Sequence, residues 1–177
     1  MRKSIFVVIA TALAFSPALI AGNLEAPRGI LGIEWGESLE SARAKMLKRP
    51  GVIADTAIVE ASHQRLLFQM GYFLAEQVDT WNLEFVNNKF FWAKIILDSE
   101  NFSEIQSVLL MRYGTPAISS NDMAEWQFPE ATVRFVANSP VGHTSVVFWN
   151  TKLFNSKSVQ EEKKSKIRML DKLRDLD

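Results

Sequence analysis

Two hydrophobic spacings divide this chain: alternation at every second residue, which predicts half-buried strands, and repeats at three and four residues, which predict amphipathic helices. Leu31-Gly32-Ile33-Glu34-Trp35 alternates and predicts a short strand, turned at Gly36-Glu37. Ser38 then stands as an N-cap for a helix to about Lys48, with Leu39, Ala42, Met46 and Leu47 on one stripe and Pro50-Gly51 ending it. Gly51 to Gln64 carries no clear period. Leu66 to Leu74 is strand-like, with Gly71 at a bulge position. Trp81, Leu83 and Phe85 alternate with Asn82 and Glu84, and Asn87-Asn88 offers residues that tolerate positive φ. Phe90 to Asp98 returns as the antiparallel partner, so a hairpin is predicted.

The second half follows a similar order. Ser103-Glu104-Ile105-Gln106 has the form of a capping box, and Ile105, Val108, Leu109, Arg112 and Tyr113 mark a helix. Gly114 and Pro116 close it. Strands are predicted at Met123–Phe128, Thr132–Ala137 and Thr144–Asn150. The halves, 30–98 and 101–150, read either as a diverged tandem repeat of α-β-β(-β) units or as coincidence. From Ser156 to Asp177 the chain is charged, with Ile167, Leu170, Leu173 and Leu176 every three residues, which predicts a weakly amphipathic C-terminal helix. The expected class is α+β: an antiparallel sheet with helices packed on one face.

The N-terminus adds an address. Arg2 and Lys3, the apolar run Ile5 to Phe15, Ser16-Pro17-Ala18 and Ala21-Gly22 have the layout of a secretory signal, with cleavage expected after Ala18 or Ala21, the latter favoured. The apolar run is too short to span a bilayer, and no later segment is long enough either. With no cysteine anywhere, neither disulfides nor a lipid-modified N-terminal Cys is available. The expectation is a non-lipidated periplasmic or secreted protein, with residues 22–155 forming the domain.

Charge and composition narrow the chemistry. The formal net charge of zero hides an asymmetry: residues 22–150 hold ten basic and fifteen acidic side chains, and residues 151–177 hold eight basic and five acidic. An acidic body lacks the basic stripe of a nucleic-acid surface. The two histidines, His63 and His143, lack metal-ligand spacing, and no metal or cofactor is expected. Nucleophile-elbow, phosphate-loop and dinucleotide motifs are absent. The reading leans away from an enzyme.

Gly32-Ile33-Glu34-Trp35-Gly36-Glu37-Ser38 and its helix resemble the opening of several small exported bacterial protein families of unknown function. Tyr113-Gly114-Thr115-Pro116 with Trp126-Gln127-Phe128 resembles their second half. Both resemble the helix-plus-antiparallel-sheet units of β-lactamase-inhibitor-like proteins and of an outer-membrane assembly lipoprotein, without the Cys pairs of the former or the lipidated Cys of the latter. The resemblance spans about Gly32 to Trp149. It implies a scaffold for protein–protein contact and transfers no functional residue.

The aromatic residues supply the candidate site. Strict alternation in Phe90–Asp98 sends Phe91, Ala93, Ile95 and Leu97 toward the helices and Phe90, Trp92, Lys94, Ile96 and Asp98 outward. Thr132, Arg134, Val136, Asn82 and Glu84 are expected on the same outer face, and Val146-Val147-Phe148-Trp149 is apolar both ways. Phe90, Trp92, Arg134 and one of Phe148 or Trp149, taken as Trp149, together have the composition of an interface hot spot. The alternative is that the N-terminal arm, the 51–64 segment or the C-terminal helix covers this face. Trp35 is read as a core anchor. The function expected is a non-enzymatic protein-binding or envelope-assembly module whose partner is another protein. The alternatives are a carrier of a small apolar ligand held between sheet and helices, and a hydrolase with an unrecognised carboxylate or His63-assisted site.

Overall fold

Three two-residue turns organise the strand pairing. The computed structural model describes residues 25–60, 63–98, 102–137 and 143–156. The leader and residues 157–177 lie outside the described residues. Strands β1 (Gly29–Ile30) and β2 (Ile33–Glu34) flank Leu31-Gly32; β5 (Tyr72–Phe73) and β6 (Glu76–Val86) flank Leu74-Ala75; β6 and β7 (Lys89–Leu97) flank Asn87-Asn88. All six turn residues have positive φ, from 49° to 79°, the type I′ pattern that matches the twist of antiparallel strands. The first predicted strand is therefore a hairpin. Its entry requires glycine, because a Cβ on Gly29 would lie 1.9 Å from the Ile33 carbonyl oxygen.

Helix α1 (Leu39–Leu47) starts as its sequence predicts. Ser38 Oγ accepts from the Ser41 N–H at 3.3 Å. The Leu39 N–H donates to Asn88 Oδ1 at 2.9 Å, so the β6–β7 turn also caps the helix. Leu39, Ala42 and Met46 are buried, while Leu47 is half exposed. Residues 51–64, without a period in the sequence, contain strand β3 (Ile53–Glu60) and the start of β4 (His63–Gln69). The strand predicted at 66–74 stops at Gln69, where Met70 (φ 61°) and Gly71 (φ 95°) redirect the chain into β5.

Helix α2 (Phe102–Tyr113) buries Ile105, Leu109 and Tyr113 at every fourth position. It includes Ser103 in its first turn, so Ser103 is not the cap that the capping-box pattern predicted. Gly114 (φ 72°) closes it, with its N–H donating to the Leu110 carbonyl at 2.8 Å. Strands β8 (Ile118–Ser119), β9 (Met123–Gln127), β10 (Ala131–Val136) and β11 (Thr144–Asn150) follow. Asn150 Oδ1 accepts from the Leu153 N–H at 2.9 Å and caps a helical segment at 151–156 that the sequence did not predict; the helix predicted from Ser156 onward lies, beyond that residue, outside the described residues.

The protein is α+β, with one antiparallel sheet in the order β3-β4-β6-β7-β11-β10-β9-β8 and β5 pairing β6 beside that path. The two halves meet edge to edge at their last strands, β7 and β11. Both helices pack on one sheet face. Their apolar stripes join Phe68, Trp81, Ile95, Trp126 and Phe135 in a single core. Each of Trp35, Trp81 and Trp126 donates its indole N–H to a backbone carbonyl at 2.7 Å, so buried Trp81 and Trp126 and half-buried Trp35 leave no orphaned donor.

Two substitutions test the turns. Asn88→Ala removes the second cap of α1 and places a Cβ without side-chain compensation at φ 59°; stability should fall by about 1–2 kcal/mol. Ala75→Gly relieves the φ 68° residue of the second turn and should raise stability by about 0.5–1 kcal/mol. Urea midpoints at constant m-value measure both.

Candidate functional site

A β-bulge decides which aromatic side chains reach the outer face. Along β6 and β7, Glu84 pairs with Trp92 and Phe85 with Phe90, so Phe91 is the extra residue. The bulge reverses the parity expected for the first turn of the strand. Phe90 joins the core, fully buried, with its ring 5.0 Å from Trp35 and 5.6 Å from Phe85. Its backbone is fixed there: Gly36 N–H donates to the Phe90 carbonyl and Phe90 N–H to the Glu37 carbonyl, both at 2.8 Å. Phe91, expected inward, instead lies with Phe154 and His63, at centroid distances of 6.4 and 6.5 Å. Phe90 is thus a core residue and leaves the candidate surface.

The other three candidates come together. Trp149 pairs directly with Trp92 across the β7–β11 ladder and with Thr132 across β10–β11. Cross-strand partners on one face hold their Cβ atoms about 5 Å apart. Phe148 points into the core, so Trp149 is the outward ring of that pair. Arg134 stands over the Trp149 ring at 5.2 Å. Its Nε donates to Glu125 Oε2 at 2.6 Å, which holds the guanidinium over the ring while 45% of the side chain stays exposed. Gln127 also donates to Glu125, at 2.7 Å. Burial pushes the Glu125 carboxyl up, but the Gln127 and Arg134 bonds outweigh it and hold the group below its ordinary value.

On the other flank, Glu84 meets His63 Nε2 at 2.9 Å and Arg65 at 3.3 Å. The nearest recess, lined by Ile58, His63, Gln64 and Arg65, holds about 90 Å³. Small-molecule sites usually start at roughly 300 Å³, so this recess is below that size. Phe154, on the helical segment after β11, packs on Trp149 at 6.1 Å and extends the ridge. Of the covers considered for this face, the 51–64 segment is instead an edge strand, and the β1–β2 hairpin inserts Ile30 and Ile33 into the core. Residues 157–177 fall outside the described residues.

The sequence missed Phe91, Phe154 and Glu125. The run Phe90-Phe91-Trp92 carried a signal, since three consecutive aromatic residues break strict alternation. Phe154 could not be placed without knowing that the chain turns at Asn150.

No protein-family model, no curated protein and no solved structure matches this chain. Among the described residues there is no group of three or more His, Asp or Glu side chains placed to hold a metal. No helix among them is long and apolar enough to cross a membrane.

A second carboxylate behaves as Glu125 does. Burial raises Glu37, but Lys45 at 2.8 Å, the Ser41 hydroxyl and the Glu34 N–H together hold it below the ordinary value. Both groups favour the folded state when ionised. That stability is present above the ordinary carboxylate value of 4.5 and is lost as pH falls through the lower folded values. Urea unfolding between pH 6 and pH 3 should show this loss, and it should flatten in the double variant Glu37→Gln, Glu125→Gln.

Proposed function

We propose that the outer sheet face is a docking surface for another protein, in an exported, non-enzymatic binding or assembly module. The observation that carries this reading is the pairing of Trp92 with Trp149 on the face opposite α1 and α2, with Arg134 held over the second ring. Aromatic residues and Arg are the side chains most enriched in interface hot spots. A polar rim flanks them, Glu84 with His63 and Arg65 on one side and Glu125 with Arg134 on the other. This is the apolar-centre, polar-edge anatomy of a protein interface. Asn82 Oδ1 and Arg65 Nε, on the same face, are enclosed without a hydrogen-bond partner, polar capacity that a docked chain would use. The export part of the reading rests on the N-terminal pattern. The resemblance to β-lactamase-inhibitor-like units, a scaffold class for protein contact, points the same way.

A photoreactive residue at Lys94, beside Asn82 on the outer face, should crosslink a defined protein in the cell. One at Met111, 76% exposed on the helix side, should not. The double variant Trp92→Ala, Trp149→Ala should lose at least about 90% of the adduct, with a stability loss below roughly 1.5 kcal/mol. Phe90→Ala, in the core, should lose about 3–5 kcal/mol. Equal adducts from both positions, or a Trp92→Ala loss as large as that of Phe90→Ala, would remove the reading.

A further inference from the structure

A concavity on the helix side is built differently from the outer face. The β1–β2 turn, the β5–β6 turn, the residues after α1 and the last turn of α2 surround a cavity of about 330 Å³. Its floor is the core itself: Ile30, Phe73, Leu109 and Phe148 line it and are at most 8% exposed. A recess opening directly onto buried apolar side chains favours an apolar ligand body.

Its charge has one sign. Arg49 and Arg112 both line the cavity. Neither forms an ion pair with a carboxylate among the described residues. Arg112 instead lies over the Tyr113 ring at 5.6 Å. Among the described residues no Asp or Glu lines the cavity. Two guanidinium groups beside an apolar floor suit a ligand with one anionic end.

The walls break a local rule that the same protein follows elsewhere. At the Asn87-Asn88 turn, positive φ falls on asparagine, which tolerates it. At the two turns lining the cavity it falls on Leu31 (φ 57°) and Leu74 (φ 52°). Left-handed backbone is unfavourable for a leucine, and such strain persists where surrounding structure and function require it. Both leucines are half-buried against the core and contribute apolar wall where a turn-favouring residue would contribute none.

We infer that this cavity binds a single-chain amphipathic carboxylate, with its tail against Leu109 and Phe148 and its headgroup between Arg49 and Arg112. The volume lies at the small end of ligand sites, roughly 300–1,000 Å³, which fits one short-to-medium chain and not a two-chain lipid. Isothermal titration of the purified protein with decanoate, decanol and decylammonium tests the inference. Decanoate should bind saturably at one site in the micromolar range, with decanol and decylammonium at least about tenfold weaker. The double variant Arg49→Gln, Arg112→Gln should weaken decanoate at least about tenfold without changing the melting temperature, since both side chains lie at the rim. Trp92→Ala, on the opposite face, should bind decanoate as the parent does, so this result stands or falls apart from the docking surface. No saturation below millimolar decanoate, equal affinity for the alcohol and the amine, or an unchanged double variant would overturn it.

Discussion

The β7–β11 ladder is the interaction on which the rest of the structure depends. Six residue pairs, from Thr144 with Leu97 to Trp149 with Trp92, join the last strand of one half to the last strand of the other. On the helix side they bring Ile95 against Val146 and Ala93 against Phe148, so the two hydrophobic layers become one core. On the opposite side they bring Trp92 against Trp149. Alternation along paired strands couples the two outcomes, because a register slip of one residue would exchange the faces. The register that buries the core therefore also assembles the outer aromatic pair.

The bulge at Phe91 refines this arrangement. Without the extra residue, Phe90 would project outward and Phe91 inward. With it, Phe90 fills the space between Trp35 and Phe85, and its backbone pairs with Gly36 and Glu37. The first hairpin, helix α1 and the sheet are tied together at this point, since Asn88, two residues earlier, also caps α1. Phe91 is left to support the outer ridge with Phe154. A single inserted residue thus serves the core and the surface at once.

Much of the architecture was legible from spacing and turn chemistry. The hairpin around Asn87-Asn88 was readable because its turn residues and its alternation agree. The end of α2 was readable because Gly114 and Pro116 stand where a helix must stop. Strand β3 was hidden because it lies at the sheet edge, where Ile53 and Ile58 are exposed and burial imposes no alternation. Trp92 and Arg134 were placed on the outer face from parity, since the second irregularity of this ladder adds its extra residue, Asp79, to β6 and leaves the alternation of β7 intact from Trp92 to Leu97; only the register separated Trp149 from Phe148. Phe90 was misplaced because a bulge leaves no mark in composition. The cavity was invisible for another reason: five separate segments of the chain build it, and its one local trace is leucine where a turn prefers asparagine or glycine.

The two faces of the sheet thus carry different chemistry on one scaffold, an aromatic ridge with paired charges on one side and an apolar recess flanked by Arg49 and Arg112 on the other. Both require the halves to behave as one body. Native-state amide hydrogen exchange, resolved by residue under low urea, measures this most directly. Amides of residues 92–97 and 144–149 should exchange only through global unfolding, with one shared opening free energy. Opening of β8–β11 at a lower free energy, while β4, β6 and β7 stay protected, would contradict the account.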